Sequence, residues 1–219
     1  MSGQQTVDIK VVILGDSGIG KTCLLVRFLK NQYGSTTATI GASFAVKNIQ
    51  RNGEVYTLGI WDTAGQERYN SLSSFYCRSA GCALVCYDIT SKDSFNSLDN
   101  WLEKLYSSGP GEDCFTILVG LKLDLAEQSE ENFVNESSDT DSAKREVSTE
   151  EAREKAEKMG AIAFFETSAK SGDNVHSVFE TIVDQLQKQP KKKTKESNDD
   201  QLTLGKQNNV NNDDGGCRC

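Results

Sequence analysis

Gly15-Asp16-Ser17-Gly18-Ile19-Gly20-Lys21-Thr22 is the stretch on which the reading of this chain turns. It follows an apolar, β-branched run, Ile9 to Leu14, and opens a segment in which Leu24, Leu25, Phe28 and Leu29 recur at helical spacing. The octet fits G-x-x-x-x-G-K-[ST] in the strand-to-helix context that gives the pattern its meaning. Its glycines let successive backbone N–H groups turn inward around a chain of phosphates, and the start of the following helix adds the positive end of its dipole. Lys21 is placed to reach the β- and γ-phosphates of a nucleotide, and Thr22 to offer its hydroxyl to Mg2+.

Outward from this loop, β-branched apolar runs alternate with helical patterns, the signature of βαβ units and a mainly parallel sheet covered on both faces. Two extended segments, Ser43 to Ile49 and Glu54 to Trp61, are joined through Arg51-Asn52-Gly53, and Asn-Gly is a strong hairpin signal. Further strands are predicted at Cys82 to Tyr87, Phe115 to Val119 and Ile162 to Phe165, with helices near Asp93 to Tyr106, Thr149 to Met159 and Asn174 to Gln187. Ser148 with Glu151 reads as a capping box opening one of these helices. The expectation is an α/β fold: one P-loop NTPase domain, a doubly wound sheet of about six strands with about five helices and one antiparallel edge strand.

A second motif, Trp61-Asp62-Thr63-Ala64-Gly65-Gln66, closes another strand. Asp62 suits a magnesium role, Gly65 can bring a backbone N–H to a γ-phosphate, and Gln66 is placed to orient an attacking water. Composition agrees with one sizeable core: 219 residues, 37% hydrophobic. The net charge of -8 argues against a nucleic-acid partner, which rewards basic faces. No run reaches the roughly 18 apolar residues of a membrane span, the start MSGQQTVDIK lacks a secretory signal, and Gly3 is one place late for myristoylation. Of seven cysteines, Cys23, Cys77, Cys82, Cys86 and Cys114 read as reduced core or near-core thiols, without metal or disulfide spacing. His176 falls on a solvated helix face and needs no catalytic role.

Two stretches break the rhythm. Ala126 to Glu146 is acidic, polar and nearly bare of apolar residues, and is expected as a solvated loop insertion. After Pro190 a lysine cluster, Lys191 to Lys193 with Lys195, leads into a polar tail ending Cys217-Arg218-Cys219.

The phosphate loop, Asp62 to Gln66 and Glu166-Thr167-Ser168-Ala169-Lys170 together resemble the Ras-like small GTPases. Ile40-Gly41-Ala42-Ser43-Phe44, WDTAGQERY from Trp61 to Tyr69, and Tyr87-Asp88-Ile89-Thr90 are similar to the Rab family, over residues 8 to 188. The resemblance implies a GTPase domain over 1–188, a flexible hypervariable tail over 189–219, GTP/GDP and Mg2+ as cofactors, and hydrolysis that is intrinsically slow until a partner supplies an arginine finger. It implies that Thr39 joins Mg2+ and the γ-phosphate only in the GTP state. Lys21, Thr39, Gly65 and Gln66 then form the catalytic set, and Thr22, Thr39 and Asp62 the metal set. Cys23 and Tyr33 belong with the nucleotide, Tyr33 stacking on the base; Ser168, Ala169 and Lys170 support the base from the other side. Phe44, Trp61 and Tyr76, with Ile40, match the surface through which Rabs meet effectors. The Cys217-Arg218-Cys219 ending is similar to the Rab C-x-C terminus that takes two geranylgeranyl groups, and Gly216 excludes a C-a-a-X signal. Two chains give stable anchoring, to which the lysine cluster adds attraction for anionic lipid. Implied partners are effectors, an exchange factor, a GTPase-activating protein, a prenyl escort and a GDP-dissociation inhibitor, with the protein itself a monomer cycling between cytosol and the cytoplasmic face of an endosomal or autophagic membrane.

Two departures qualify the resemblance. The guanine motif Asn-Lys-x-Asp reads Leu121-Lys122-Leu123-Asp124. Asp124 still selects guanine, but Leu121 cannot make the amide's hydrogen bonds, a loss of about 1 to 3 kcal/mol or roughly ten- to a hundredfold in affinity. Tyr33 to Thr39 is also one residue tighter than is typical, with no tyrosine between them to close over the phosphates. These departures leave a second reading, a degenerate nucleotide-binding scaffold that acts by binding partners; intact Gln66 and Thr39 favour the switch. An ATPase or kinase is disfavoured by Asp124 and by Glu166 to Lys170.

Overall fold

A computed structural model describes residues 8–34, 36, 39–65, 75–126 and 144–188. Among the described residues six strands and five helices run in the order β1 (Ile9–Leu14), α1 (Lys21–Lys30), β2 (Ala42–Arg51), β3 (Glu54–Thr63), β4 (Cys82–Asp88), α2 (Lys92–Asn96), α3 (Leu98–Ser107), β5 (Phe115–Leu121), α4 (Thr149–Lys158), β6 (Ala163–Glu166) and α5 (Val175–Lys188). They form one sheet in the order β2-β3-β1-β4-β5-β6. All pairings are parallel except β2 with β3, which the Asn52-Gly53 turn folds into an antiparallel edge hairpin. Both turn residues have positive φ, 52° and 81°, the conformation that an Asn-Gly pair supplies at low cost.

The two-residue period of β1 divides the core. Val11 and Ile13 face one layer, where α1 and α5 bring Leu24, Phe28, Val178 and Phe179. Val12 and Leu14 face the other, where α2, α3 and α4 bring Phe95, Leu98, Leu105 and Ala152. Phe28 and Phe179 stack with ring centroids 3.7 Å apart, fastening α1 to α5. Each central strand is buried on both faces, which is why β4 and β5 read as continuous apolar runs.

Two local expectations change. The helix expected over 93–106 is two helices. They meet at Ser97, the C-cap of α2 and the N-cap of α3, whose N–H and Oγ both donate to the Asp93 carbonyl at 3.0 Å. The capping box at α4 is half formed: Ser148 Oγ accepts from the Glu151 N–H at 3.2 Å, while the Glu151 carboxylate reaches across to Lys92. The segment from 126 to 146 is anchored at both stems, with Ala126 buried and Arg145 paired to Glu166 at 2.7 Å; residues 127–143 lie outside the described set. Among the described residues no helix is long and apolar enough to cross a membrane. Cys77, Cys82 and Cys86 are buried and Cys23 and Cys114 half-buried, all as free thiols, and His176 is exposed.

Candidate functional site

The site is built at the carboxyl ends of β1, β3, β5 and β6, where an open α/β sheet leaves a crevice. The helix that begins there differs from α2 and α4. Ser91 and Ser148 cap α2 and α4 with their side chains, whereas α1 starts on Gly20 at φ 109° with no side-chain cap bond and no acidic residue in its first turn. Its leading N–H groups are left for an anion. Gly15 is dictated by space as well as by its φ of 140°, since a Cβ there would meet the Cys86 carbonyl oxygen at 2.4 Å.

Ser17, Gly18, Gly20, Lys21, Thr22 and Cys23 line a cavity of about 250 Å3 together with Thr36, Thr39, Thr63 and Gly65. Lys21 is 5% exposed, and its ammonium donates to the carbonyls of Gly15 at 2.7 Å and Asp16 at 2.6 Å. Burial lowers its pKa from the ordinary lysine range, opposed by the nearby Asp62 and Asp16 carboxylates. Ile19 turns its side chain into the core, so only its backbone faces the loop.

Beside Lys21, three oxygens converge. Thr22 Oγ1 donates to Asp62 Oδ2 at 2.7 Å and lies 2.9 Å from Thr39 Oγ1, which is 3.5 Å from the same carboxylate oxygen. Burial raises the Asp62 pKa, and the Thr22 hydroxyl and Lys21 counter the shift. The other carboxylate oxygen, Oδ1, is buried without a hydrogen-bond partner among the described residues. An all-oxygen set with one carboxylate and one unsatisfied buried oxygen fits Mg2+, a hard cation that keeps waters and phosphate oxygens for its remaining positions. Gly65 closes the cavity so tightly that a Cβ would stand 2.2 Å from the Asp16 carbonyl carbon.

A second cluster gathers the residues expected around the base. Ser168 Oγ donates to Asp124 Oδ1 at 2.7 Å and accepts from the Lys170 N–H at 3.1 Å. Leu121 is 3% exposed and packs in the core with Ile19. Lys122, in a left-handed conformation at φ 67°, pairs its ammonium with Asp88 Oδ2 at 2.6 Å. Tyr33 is exposed and outside the cavity lining. Gln66, Cys217, Cys219 and the Lys191–Lys195 cluster lie outside the described residues.

On the adjoining surface Phe44 and Trp61 are cross-strand partners with ring centroids 4.8 Å apart, and Tyr76 continues the row 5.1 Å from Trp61. Ile40 is 80% exposed and Phe44 51%. Phe75, which sequence reading passed over, extends the row edge-on to Tyr76 and is itself exposed. Also missed were Arg27, which donates to the Ala169 carbonyl, and Trp101, which donates to Asp16; neither belongs to a short motif, so only the fold reveals them.

An uncapped helix behind a glycine-rich loop, a buried lysine and a threonine–aspartate cation set define a P-loop nucleotide-binding protein. The Ras family model matches residues 10–188. Among curated proteins, the Ras-related protein Rab7 of Drosophila melanogaster is 37% identical over the full length of both chains. GTP-binding protein YPT53 of Saccharomyces cerevisiae is 34% identical, covering 98% of this chain and 96% of its own. The Ras-related protein Rab-24 of Dictyostelium discoideum is 38% identical over 81% of this chain and 80% of its own. The chain belongs to the Rab family of Ras-like small GTPases. It binds GTP and GDP with Mg2+ and hydrolyses GTP to GDP. As a Rab it regulates vesicle traffic at the cytoplasmic face of intracellular membranes, with effectors, exchange factors, activating proteins and a GDP-dissociation inhibitor as its kinds of partner.

Proposed function

We propose that this GTPase is a switch for endosomal or autophagic membrane traffic whose nucleotide state is read by two loops on either side of one phosphate cradle. The observation that carries the reading is the convergence of Lys21, Thr22, Thr39, Asp62 and Gly65 on a single cavity. Lys21 and the N–H groups of residues 15–23 hold the β- and γ-phosphates. Thr22 and Thr39 would present hydroxyls to Mg2+ and Asp62 its carboxylate, and the ion bound there would supply charge neutralisation for the phosphates. Gly65 offers its N–H to the γ-phosphate and Gln66 orients water. Loss of the γ-phosphate releases Thr39 and Gly65, and with them the effector surface of Ile40, Phe44, Trp61 and Tyr76. Asp124, Ser168 and Ala169 select guanine, while Lys122 and Lys170 flank the base and Tyr33 stacks on it.

The same reading divides the chain into a GTPase domain over 1–188 and a tail over 189–219 that is prenylated on Cys217 and Cys219, delivered by an escort protein, and strengthened on anionic membranes by the lysine cluster. The pathway assignment is supported by the likeness of Thr39-Ile40-Gly41-Ala42-Ser43-Phe44 to endosomal Rabs and of MSGQ, YTLGIWDTAG and the altered guanine motif to an atypical Rab branch tied to autophagy. The protein works as a monomer without nucleic acid.

Single-turnover hydrolysis of Mg2+-GTP tests the core of this reading. The natural chain should capture GTP and hydrolyse it slowly, faster with an activating protein; Lys21→Ala should lose capture and Gln66→Leu should lose acceleration. Equal turnover of the natural chain and Gln66→Leu with activating proteins would favour the scaffold reading. Imaging and membrane fractionation of Cys217→Ser/Cys219→Ser against the natural chain test the anchor: marker overlap with endosomes or autophagosomes should be lost in the double variant.

A further inference from the structure

Trp101 is 4% exposed on the inner face of α3, yet its indole N–H is satisfied by the phosphate loop, donating to Asp16 Oδ1 at 2.7 Å. A buried indole N–H seeks an acceptor, and a carboxylate makes the bond charge-assisted. Asp16 is where two further restraints meet. Its main-chain carbonyl accepts from the Lys21 ammonium at 2.6 Å, and Gly65 presses against its peptide. The indole is buried in the apolar cluster that also holds Phe95, Leu98 and Leu105, with the Lys104 ammonium 4.2 Å from its ring centroid. A rigid aromatic strut thus runs from α3, an element with no residue in the nucleotide motifs, to the loop that carries the phosphates.

We propose that Trp101 is a positioning residue for the phosphate loop. By fixing Asp16 it keeps the Gly15 and Asp16 carbonyls where they hold Lys21, and α3 thereby sets how long nucleotide is retained. This inference rests on the cavity being the nucleotide site. The strut touches neither Asp124 nor Ser168, so it governs GDP and GTP retention alike and leaves guanine choice alone.

Release of a fluorescent GDP from the full-length, Mg2+-loaded protein tests it, comparing the natural chain with Trp101→Phe, Asp16→Ala, the double variant and, as a packing control, Leu105→Ala. Removing one charge-assisted bond should speed release about three- to tenfold in each single variant. Because both remove the same bond, the double variant should release no faster than the faster single. Leu105→Ala, which opens the same apolar layer away from the loop, should lower the melting temperature and keep the natural release rate. The Trp101 indole N–H resonance should move in Asp16→Ala while that of Trp61 stays in place. Natural release from Trp101→Phe, a double variant whose effect is the product of the singles, or acceleration in Leu105→Ala equal to that of Trp101→Phe would overturn the proposal. Failure of the natural chain to capture GDP would instead overturn the site itself, and the inference with it.

Discussion

Arg27 Nε–H donates to the Ala169 carbonyl at 2.6 Å, and a second guanidinium nitrogen donates to the Lys170 carbonyl at 2.5 Å. The helix that begins under the phosphates therefore also holds the loop assigned to the base. Arg27→Ala should leave the fold intact by circular dichroism and speed GDP release at least about tenfold, since it removes two charge-assisted hydrogen bonds. Arg27→Lys should recover only part of that retention, because a point charge cannot reproduce the fork.

Leu121 occupies the position of the guanine-motif amide but is sealed in the core, its Cδ1 4.0 Å from where a Cβ on Gly20 would stand. Leu121→Asn should slow GDP release about ten- to a hundredfold while the nucleotide-free protein melts at lower temperature, since a buried amide without its partner costs about 1 to 3 kcal/mol. Paired measurement of off-rate and melting temperature checks both halves. An unchanged off-rate refutes the account of the altered motif.

Gly65 leaves no room for a side chain: the nearest backbone atoms would lie 2.2 and 2.3 Å from an added Cβ. Gly65→Ala should push the end of β3 away from Ser17 and cost the γ-phosphate contact selectively. Competition binding should then show GDP affinity retained and preference for a GTP analogue reduced by about tenfold; a parallel loss of both nucleotides would contradict that division of labour.

Burial pushes the Cys77 and Cys114 thiols up to about 11 and Cys86 up to about 12. The unfolded chain ionises its thiols near about 8.5. The folded state thus holds more protons in between, and linkage makes stability fall as pH rises from about 8.5 towards 11. Chemical denaturation across that range should show the fall, and a Cys86→Ser/Cys77→Ser variant should flatten it. Mass spectrometry after alkylation at pH 8 should find Cys77, Cys82 and Cys86 unmodified until denaturant is added.

Elements with a local signature were legible in the chain itself. The phosphate loop declares its glycines, β1 its β-branched run, and the β2–β3 hairpin its Asn52-Gly53. What sequence reading missed depends on long-range contact. Arg27 and Trp101 sit in stretches whose composition says only helix, and their partners lie 142 and 85 positions away. Lys122 reads as a motif lysine, and only the packing of β4 beside β5 brings Asp88 within reach of its ammonium.

The two stems of the 126–146 excursion have a consequence for how such a protein can change. Leu125 donates its N–H to the Lys122 carbonyl just past the guanine motif, and Arg145 is riveted to Glu166 just before Thr167 and Ser168. Because the chain is gripped at departure and again at return, residues inserted or deleted between the rivets do not alter the span that the guanine-motif segments must bridge. Lineages can therefore lengthen, shorten or recharge that stretch and leave the switch beneath it running.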